Sequence, residues 1–245
     1  FALDLTTCDT AGRARNFDEA EMRTRARKKL DAEQPMFLIG SPPCTQYSPL
    51  QALSANRRDP EEVTREQVKA AVHMEFVRSL YREQVLAGRY FLHEHPLCAT
   101  SWKLDCILDV MNMDGVGSEW RDQCQYGRQV QYGEHLGQPF RTATGFMINA
   151  PKILERPAQR CTGKGGMCSR KKGGRHVHAP GRVANDAPRY SDGLCRAMTR
   201  GMVNAMQSRG VWRLGEDGMH AVTDEDGASH RPIGCRGKCR DDMSD

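Results

Sequence analysis

Residues 35–40, Pro35-Met36-Phe37-Leu38-Ile39-Gly40, decide the fold class. Four consecutive apolar residues bounded by a proline and a glycine fit a short buried strand better than a helix, which needs about ten residues or more. Ser41-Pro42-Pro43-Cys44-Thr45-Gln46-Tyr47-Ser48 follows directly. It therefore occupies the loop leaving the strand's carboxyl end, where doubly wound folds bind their ligands.

Downstream, Val68, Val72, Phe76 and Leu80 recur at every fourth position and predict a helix over 60–87. Pro60 suits its first turn and Gly88 its stop. Arg89-Tyr90-Phe91-Leu92-His93 reads as a second buried strand and runs into Glu94-His95-Pro96. A helix is expected from Ser101 to about Asn112, a third strand at 120–125 and a fourth at 144–148. Upstream, 18–30 reads as a charged amphipathic helix capped by Asn16 or Asp18, and 3–7 as a short strand. Strand, helix and strand alternate, which predicts an α/β fold with a largely parallel sheet over residues 1–150. Residues 151–214 form a basic Cys/His-rich region in which 161–182 is loop-like and 191–207 helical. The polar segment 215–245 is expected to be irregular. No internal repeat is present.

The chain of 245 residues is 38% hydrophobic, and its mean hydropathy is −0.67. No apolar run reaches the ~18–20 residues of a membrane span. The first residues show no basic region followed by an apolar stretch, so nothing points to secretion, and an opening on Phe1 reads as a fragment or a processed product. Ten cysteines in a chain of this length do not resemble a small disulfide-built scaffold. Reduced thiols in an intracellular protein, nuclear or cytoplasmic, fit better. Cys98, Cys106, Cys124 and Cys195 are expected to be small buried hydrophobes. The net charge is only +5, yet residues 151–184 hold nine Lys/Arg against one acid, Glu155. Such a density suits contact with phosphates or a solvated loop, and composition alone leaves both open.

Gly40-Ser41-Pro42-Pro43-Cys44-Thr45-Gln46-Tyr47-Ser48 resembles the nucleophile loop of the cytosine-C5 DNA methyltransferase family, Gly-Gly-Pro-Pro-Cys-Gln-Gly-Phe-Ser, with departures that include Ser41 and Thr45. Other motifs follow in the family's order. Glu94 stands where the resemblance puts the catalytic glutamate, with His95 in place of the following asparagine. Tyr126-Gly127 and Gln138-Pro139-Phe140-Arg141 resemble the next motifs, separated by extra residues, and Leu3-Asp4-Leu5-Thr6 resembles the Gly-Asp-Ile motif near the adenine of S-adenosylmethionine. No Phe-x-Gly-x-Gly loop precedes Asp4. The resemblance therefore implies a Rossmann-like methyltransferase sheet truncated at its N-terminus. Its cofactor site would be completed by an upstream segment or another chain.

Implied roles follow from the chemistry. A thiolate of Cys44 adding to C6 of cytosine makes C5 electron-rich. Glu94 as an acid at N3 makes that addition feasible, and Arg141 stabilises developing charge at O2. Asp4, Pro43 and Ser48 are the implied contacts to S-adenosylmethionine. The substrate is a base in DNA, or in RNA, that must be flipped or already unpaired. Lys164, Arg170, Lys171, Lys172 and Arg175 are expected to hold the nucleic-acid backbone. Cys161, Cys168, His176 and His178 can close a tetrahedral zinc site, with Cys235 and Cys239 able to replace one of the histidines. Two alternatives remain: a methyltransferase-like binding or assembly subunit without cofactor, and a thymidylate synthase type of enzyme. The second is disfavoured by Thr45, where that family has histidine.

Overall fold

The computed structural model describes residues 12–54, 57–150, 153, 160–177 and 190–210. The strand expected at 3–7, Asp4, His178, Cys235 and Cys239 lie outside them. Among the described residues five α-helices, α1 (Ala20–Glu33), α2 (Pro49–Ser54), α3 (Pro60–Leu86), α4 (Asp105–Met111) and α5 (Asp192–Ser208), surround four strands. These are β1 (Phe37–Gly40), β2 (Tyr90–Pro96), β3 (Gly117–Asp122) and β4 (Ala143–Ile148), in the sheet order β1-β2-β4-β3.

The fold is mixed α/β, as the alternating pattern predicts, but the sheet is not largely parallel. Only β1 and β2 pair in parallel, with Phe37 opposite Tyr90 and Gly40 opposite His93. Strand β4 is antiparallel to both β2 and β3. The reason is the connection: β4 returns from β3 without a crossover helix and inserts between β3 and β2. The third strand also lies earlier than expected, because Gln123–Tyr126 closes into a single 3-10 turn ending at Gly127, whose φ is +88°.

Helices cover both faces of the sheet. On one, Phe91 and Met147 pack against Met74, Val77 and Tyr81 of α3 and Ile107 and Val110 of α4. On the other, Tyr90, Leu92, Phe146 and Ile148 pack against Ile153 and against Leu194, Met198 and Ala205 of α5. Truncating a buried side chain such as Phe91 to alanine in such a core costs about 3–5 kcal/mol. Asp59 caps α3 by accepting from Glu61 N, and Pro60 occupies its first turn. Its 27 residues run ~40 Å, well beyond the width of the sheet. Val68 and Val72, which share the period of Phe76 and Leu80, are exposed, and the buried stripe begins at Met74. Among the described residues no helix is long and apolar enough to cross a membrane.

Candidate functional site

The parallel pairing of β1 and β2 builds the site. Gly40 is the last residue of β1 and lies opposite His93, so Ser41 emerges beside Glu94. Alternation along β2 then sends its side chains to opposite faces. His93 and His95 point toward α3, where His93 meets the rings of Tyr81 and Trp102. Glu94 points toward the segment that enters α5. Gly40 has no substitute here, because a Cβ would overlap the Tyr81 hydroxyl. That hydroxyl is itself bonded to His93 Nδ1 at 3.0 Å.

Glu94 is buried. Ser41 Oγ donates to its Oε2 at 2.7 Å, and the Tyr190 hydroxyl donates to the same oxygen at 2.6 Å. Two donors on Oε2 leave Oε1 as the oxygen that carries the proton when the carboxyl is neutral. Burial raises the Glu94 pKa, against the lowering effect of Tyr190 and Ser41. The carboxylic acid thus persists to higher pH than on an exposed side chain.

Cys44 is half-buried and stands at the start of the 3-10 turn Thr45–Tyr47. Burial raises its thiol pKa, and the Glu94 charge raises it further. The two groups are therefore coupled: a proton on Glu94 removes that repulsion and favours the thiolate. The loop is held from below by His95, whose Nε2 lies 3.1 Å from the Pro42 carbonyl while Nδ1 contacts the Ser101 hydroxyl. A carbonyl can only accept, so Nε2 carries the proton and Ser101 donates to Nδ1. Burial lowers the His95 pKa to about 4 and the His93 pKa to about 3, so both rings are neutral. His95 thus anchors the Cys44 loop through Pro42.

The implied cofactor residues Pro43 and Ser48 flank Cys44, with Pro43 exposed. Ser48 Oγ accepts from Leu50 N at 3.3 Å and so serves the start of α2. The cavity beyond it, lined by Gln46, Ser48, Pro49, Gln51, Arg58 and Thr100 among others, measures about 220 Å3.

Arg141 is not brought to Glu94. It precedes β4 on the side of β3 and pairs with Asp122 Oδ1 at 3.3 Å, while Asp122 Oδ2 accepts from Cys161 N at 2.8 Å. Strand β4 separates this pair from β2. Arg141 therefore belongs to a second cluster on the same edge of the sheet.

That cluster is Cys124, Cys161, Cys168 and His176, whose ligand atoms all lie within 4.8 Å of one another. Cys161 Sγ is 4.0 Å from Cys168 Sγ and 3.5 Å from His176 Nε2. Such a Cys3His set can hold a metal ion. Burial pushes Cys124 up to about 12. At Cys161 the upward push of burial is outweighed by bonds from Ser169 and Gly163, and the thiol falls to about 7. Burial, then the Arg141 charge, lowers His176 and keeps it neutral. The sequence points to Cys161, Cys168 and His176 as ligands, but it presents Cys124 as a plain buried hydrophobe. Cys98 and Cys195, also expected to be buried, are exposed, and Cys106 is half-buried. Lys164, Lys171, Lys172 and Arg175 are exposed and Arg170 is half-buried, on a turn closed by the Met167–Arg175 bridge.

Ser41 and Tyr190 carry no signal in the sequence that would mark them as site residues. Ser41 stands out only as a departure from the family loop, and Tyr190 is far along the chain with no motif around it. In comparisons with known proteins, no family model matches the chain, no curated protein is similar to it and no solved structure matches it.

Proposed function

We propose that the chain activates the target base in cytosine-C5 methylation of nucleic acid, DNA rather than RNA, with Cys44 as nucleophile and Glu94 as acid. The observation that carries the proposal is the buried Glu94 carboxyl with a raised pKa, held by Ser41 and Tyr190 on Oε2 and electrostatically coupled to the thiol of Cys44. Cys44 follows the carboxyl end of β1 and Glu94 lies in the carboxyl-terminal half of the parallel neighbour β2, the side on which doubly wound sheets hold ligands. That arrangement supports a Rossmann-like methyltransferase relation.

In this reading the base lies with N3 toward Oε1 of Glu94 and C6 toward Sγ of Cys44. The sulfur–C6 bond forms, the C5–C6 π pair shifts toward C5, and Glu94 delivers its proton to N3. After alkylation, loss of the C5 proton to water restores the double bond and expels the Cys44 thiolate, and N3 returns its proton to Glu94. S-adenosylmethionine is the proposed methyl donor, but the described residues do not make a fit for it. Ser48 is engaged with α2, and a cavity of about 220 Å3 falls below the ~300–1,000 Å3 of small-molecule sites. Its site is proposed to draw on other residues, from an upstream segment or another chain. Arg141 is withdrawn from the O2 role by its pairing with Asp122.

A second reading is a methyltransferase-like subunit that binds nucleic acid without methylating it. The raised thiol pKa of Cys44 favours it. DNA carrying 5-fluorocytosine separates the two. With S-adenosylmethionine present, together with the upstream segment or partner chain that completes its site, the wild type should form an adduct that survives denaturation, because fluorine cannot leave C5 as a proton does. Cys44→Ser should form none. Binding of that DNA by the wild type with no adduct overturns the enzyme reading and leaves the binding subunit.

A further inference from the structure

We infer that Cys124, Cys161, Cys168 and His176 form a closed structural zinc site that ties the basic turn 160–177 to the end of β3. The inference stands independently of any reaction at Cys44.

All four ligand atoms lie within 4.8 Å of one another, and the two separations from Cys161 Sγ fit a tetrahedral shell. With zinc–sulfur bonds of ~2.3 Å and zinc–nitrogen bonds of ~2.05 Å, two sulfurs lie ~3.8 Å apart and sulfur and nitrogen ~3.6 Å apart. The Cys161–Cys168 separation is 4.0 Å and the Cys161–His176 separation 3.5 Å. A disulfide would need ~2.05 Å. The donor set is three soft thiolates and one imidazole, which selects zinc over magnesium or calcium, and four protein ligands leave no open position for catalysis.

The surroundings are those of ligands already positioned. Ser169 N donates to Cys161 Sγ at 3.4 Å, and Gln125 Nε2 lies 3.6 Å from both Cys124 Sγ and Cys168 Sγ. Three thiolates and Zn²⁺ sum to one negative charge, and Arg141 and Arg170 lie within electrostatic reach of His176.

The chain around the cluster also needs a tie. Residues 160–177 contain five glycines, six Lys/Arg and no acid, with Met167 and Val177 the only large apolar side chains. Met167 is exposed. Such a segment has almost no core of its own and loses much entropy on ordering. It nevertheless adopts one tight turn: Cys168 N donates to Gly174 O at 2.8 Å and His176 N to Gly166 O at 2.7 Å. Gly163 and Gly173 permit it, since a Cβ at either would collide with Met167 O or Cys168 Cβ. Bonds from Cys161 N to Asp122 Oδ2 and from Val177 N to Pro139 O already anchor its ends; a metal bound to three points of this turn and to Cys124, just past β3, adds a restraint across its middle.

The test is metal analysis of the full chain purified without chelator. About one zinc per chain is expected, as for one tetrahedral site. Cys124→Ser should lose it, whereas His178→Ala and Cys195→Ser should keep it. Cobalt substitution should give the visible bands of a tetrahedral thiolate site. Because Cys124→Ser could misfold, the wild type is also alkylated with and without a strong chelator. Zinc should protect Cys161 and Cys168, and chelation should expose them, while the reaction of Cys98 and Cys195 stays unchanged. A chain that neither carries nor takes up zinc overturns the inference. So does retention of zinc in Cys124→Ser with its loss in His178→Ala, or alkylation unaffected by chelation.

Discussion

Acidification should unfold this protein through its two buried histidines. Unfolded histidine titrates near 6.5, whereas burial lowers His93 to about 3 and His95 to about 4. Between those values the unfolded chain binds protons that the folded chain does not, so stability is complete above about pH 6.5 and falls as pH drops toward 4. Each histidine contributes up to ~1.4 kcal/mol per pH unit. Lowering the pH from 7 to 5 therefore removes about 3–4 kcal/mol for the pair, a large part of a typical ~5–15 kcal/mol. His73, also lowered by burial, acts in the same direction. Glu94 opposes it: its raised pKa adds stability at low pH that is lost as pH rises through the folded value. Urea unfolding followed by the fluorescence of Trp102, which packs edge-on to both histidines, reads the effect directly. The Glu94→Gln variant should show a steeper loss from pH 7 to 5, and His95→Gln a loss roughly half that of the pair. An unfolding midpoint that does not move between pH 7 and pH 5 in Glu94→Gln would refute the buried neutral pair.

Glu94→Gln should also slow methyl transfer by about 10²-fold or more with nucleic-acid affinity little changed. Tyr190→Phe should cost only about 3–10-fold, the value of one hydrogen bond. It should move the high-pH limb of the rate profile upward, because Tyr190 lowers the Glu94 pKa; a downward move would remove Tyr190 as a positioning residue. Replacing Lys171, Lys172 and Arg175 together with alanine should weaken binding to all sequences alike and reduce the salt slope by roughly 0.7–0.9 for each phosphate that is no longer neutralised. Weakening confined to one target sequence would mean that these side chains read bases.

The helices and strands were legible because apolar runs, caps and breakers are local signals. Pro60 and Gly88 bracket α3 to within two residues of its observed ends. Strand direction was not legible, since the insertion of β4 between β2 and β3 depends on a connection and not on any residue pattern. Val68 and Val72 keep the helical period but lie where α3 has outrun the sheet. Glu94 could be placed from motif order, yet the donors that shape it, Ser41 and Tyr190, meet it only through the fold. Cys124 was hidden for the same reason: it lies outside the Cys161–His176 segment and reaches the cluster from the end of another strand.

The sheet order gives the two clusters a common geometry. Cys44 follows β1 and Cys124 follows β3, both at the same edge, because β3 runs parallel to β1 and β2 through the antiparallel β4. Three strand spacings of ~4.8 Å put the ends of β1 and β3 ~14 Å apart. Nucleotides in a duplex rise ~3.4 Å each, so this span is about four nucleotides. If a target base enters at Cys44, the phosphates flanking it pass over the edge toward Lys171, Lys172 and Arg175. The basic turn is then placed to grip backbone beside the base without touching the base itself. A metal ion held by Cys124, Cys161, Cys168 and His176, as inferred above, would fix that alignment from the far strand without a longer apolar core.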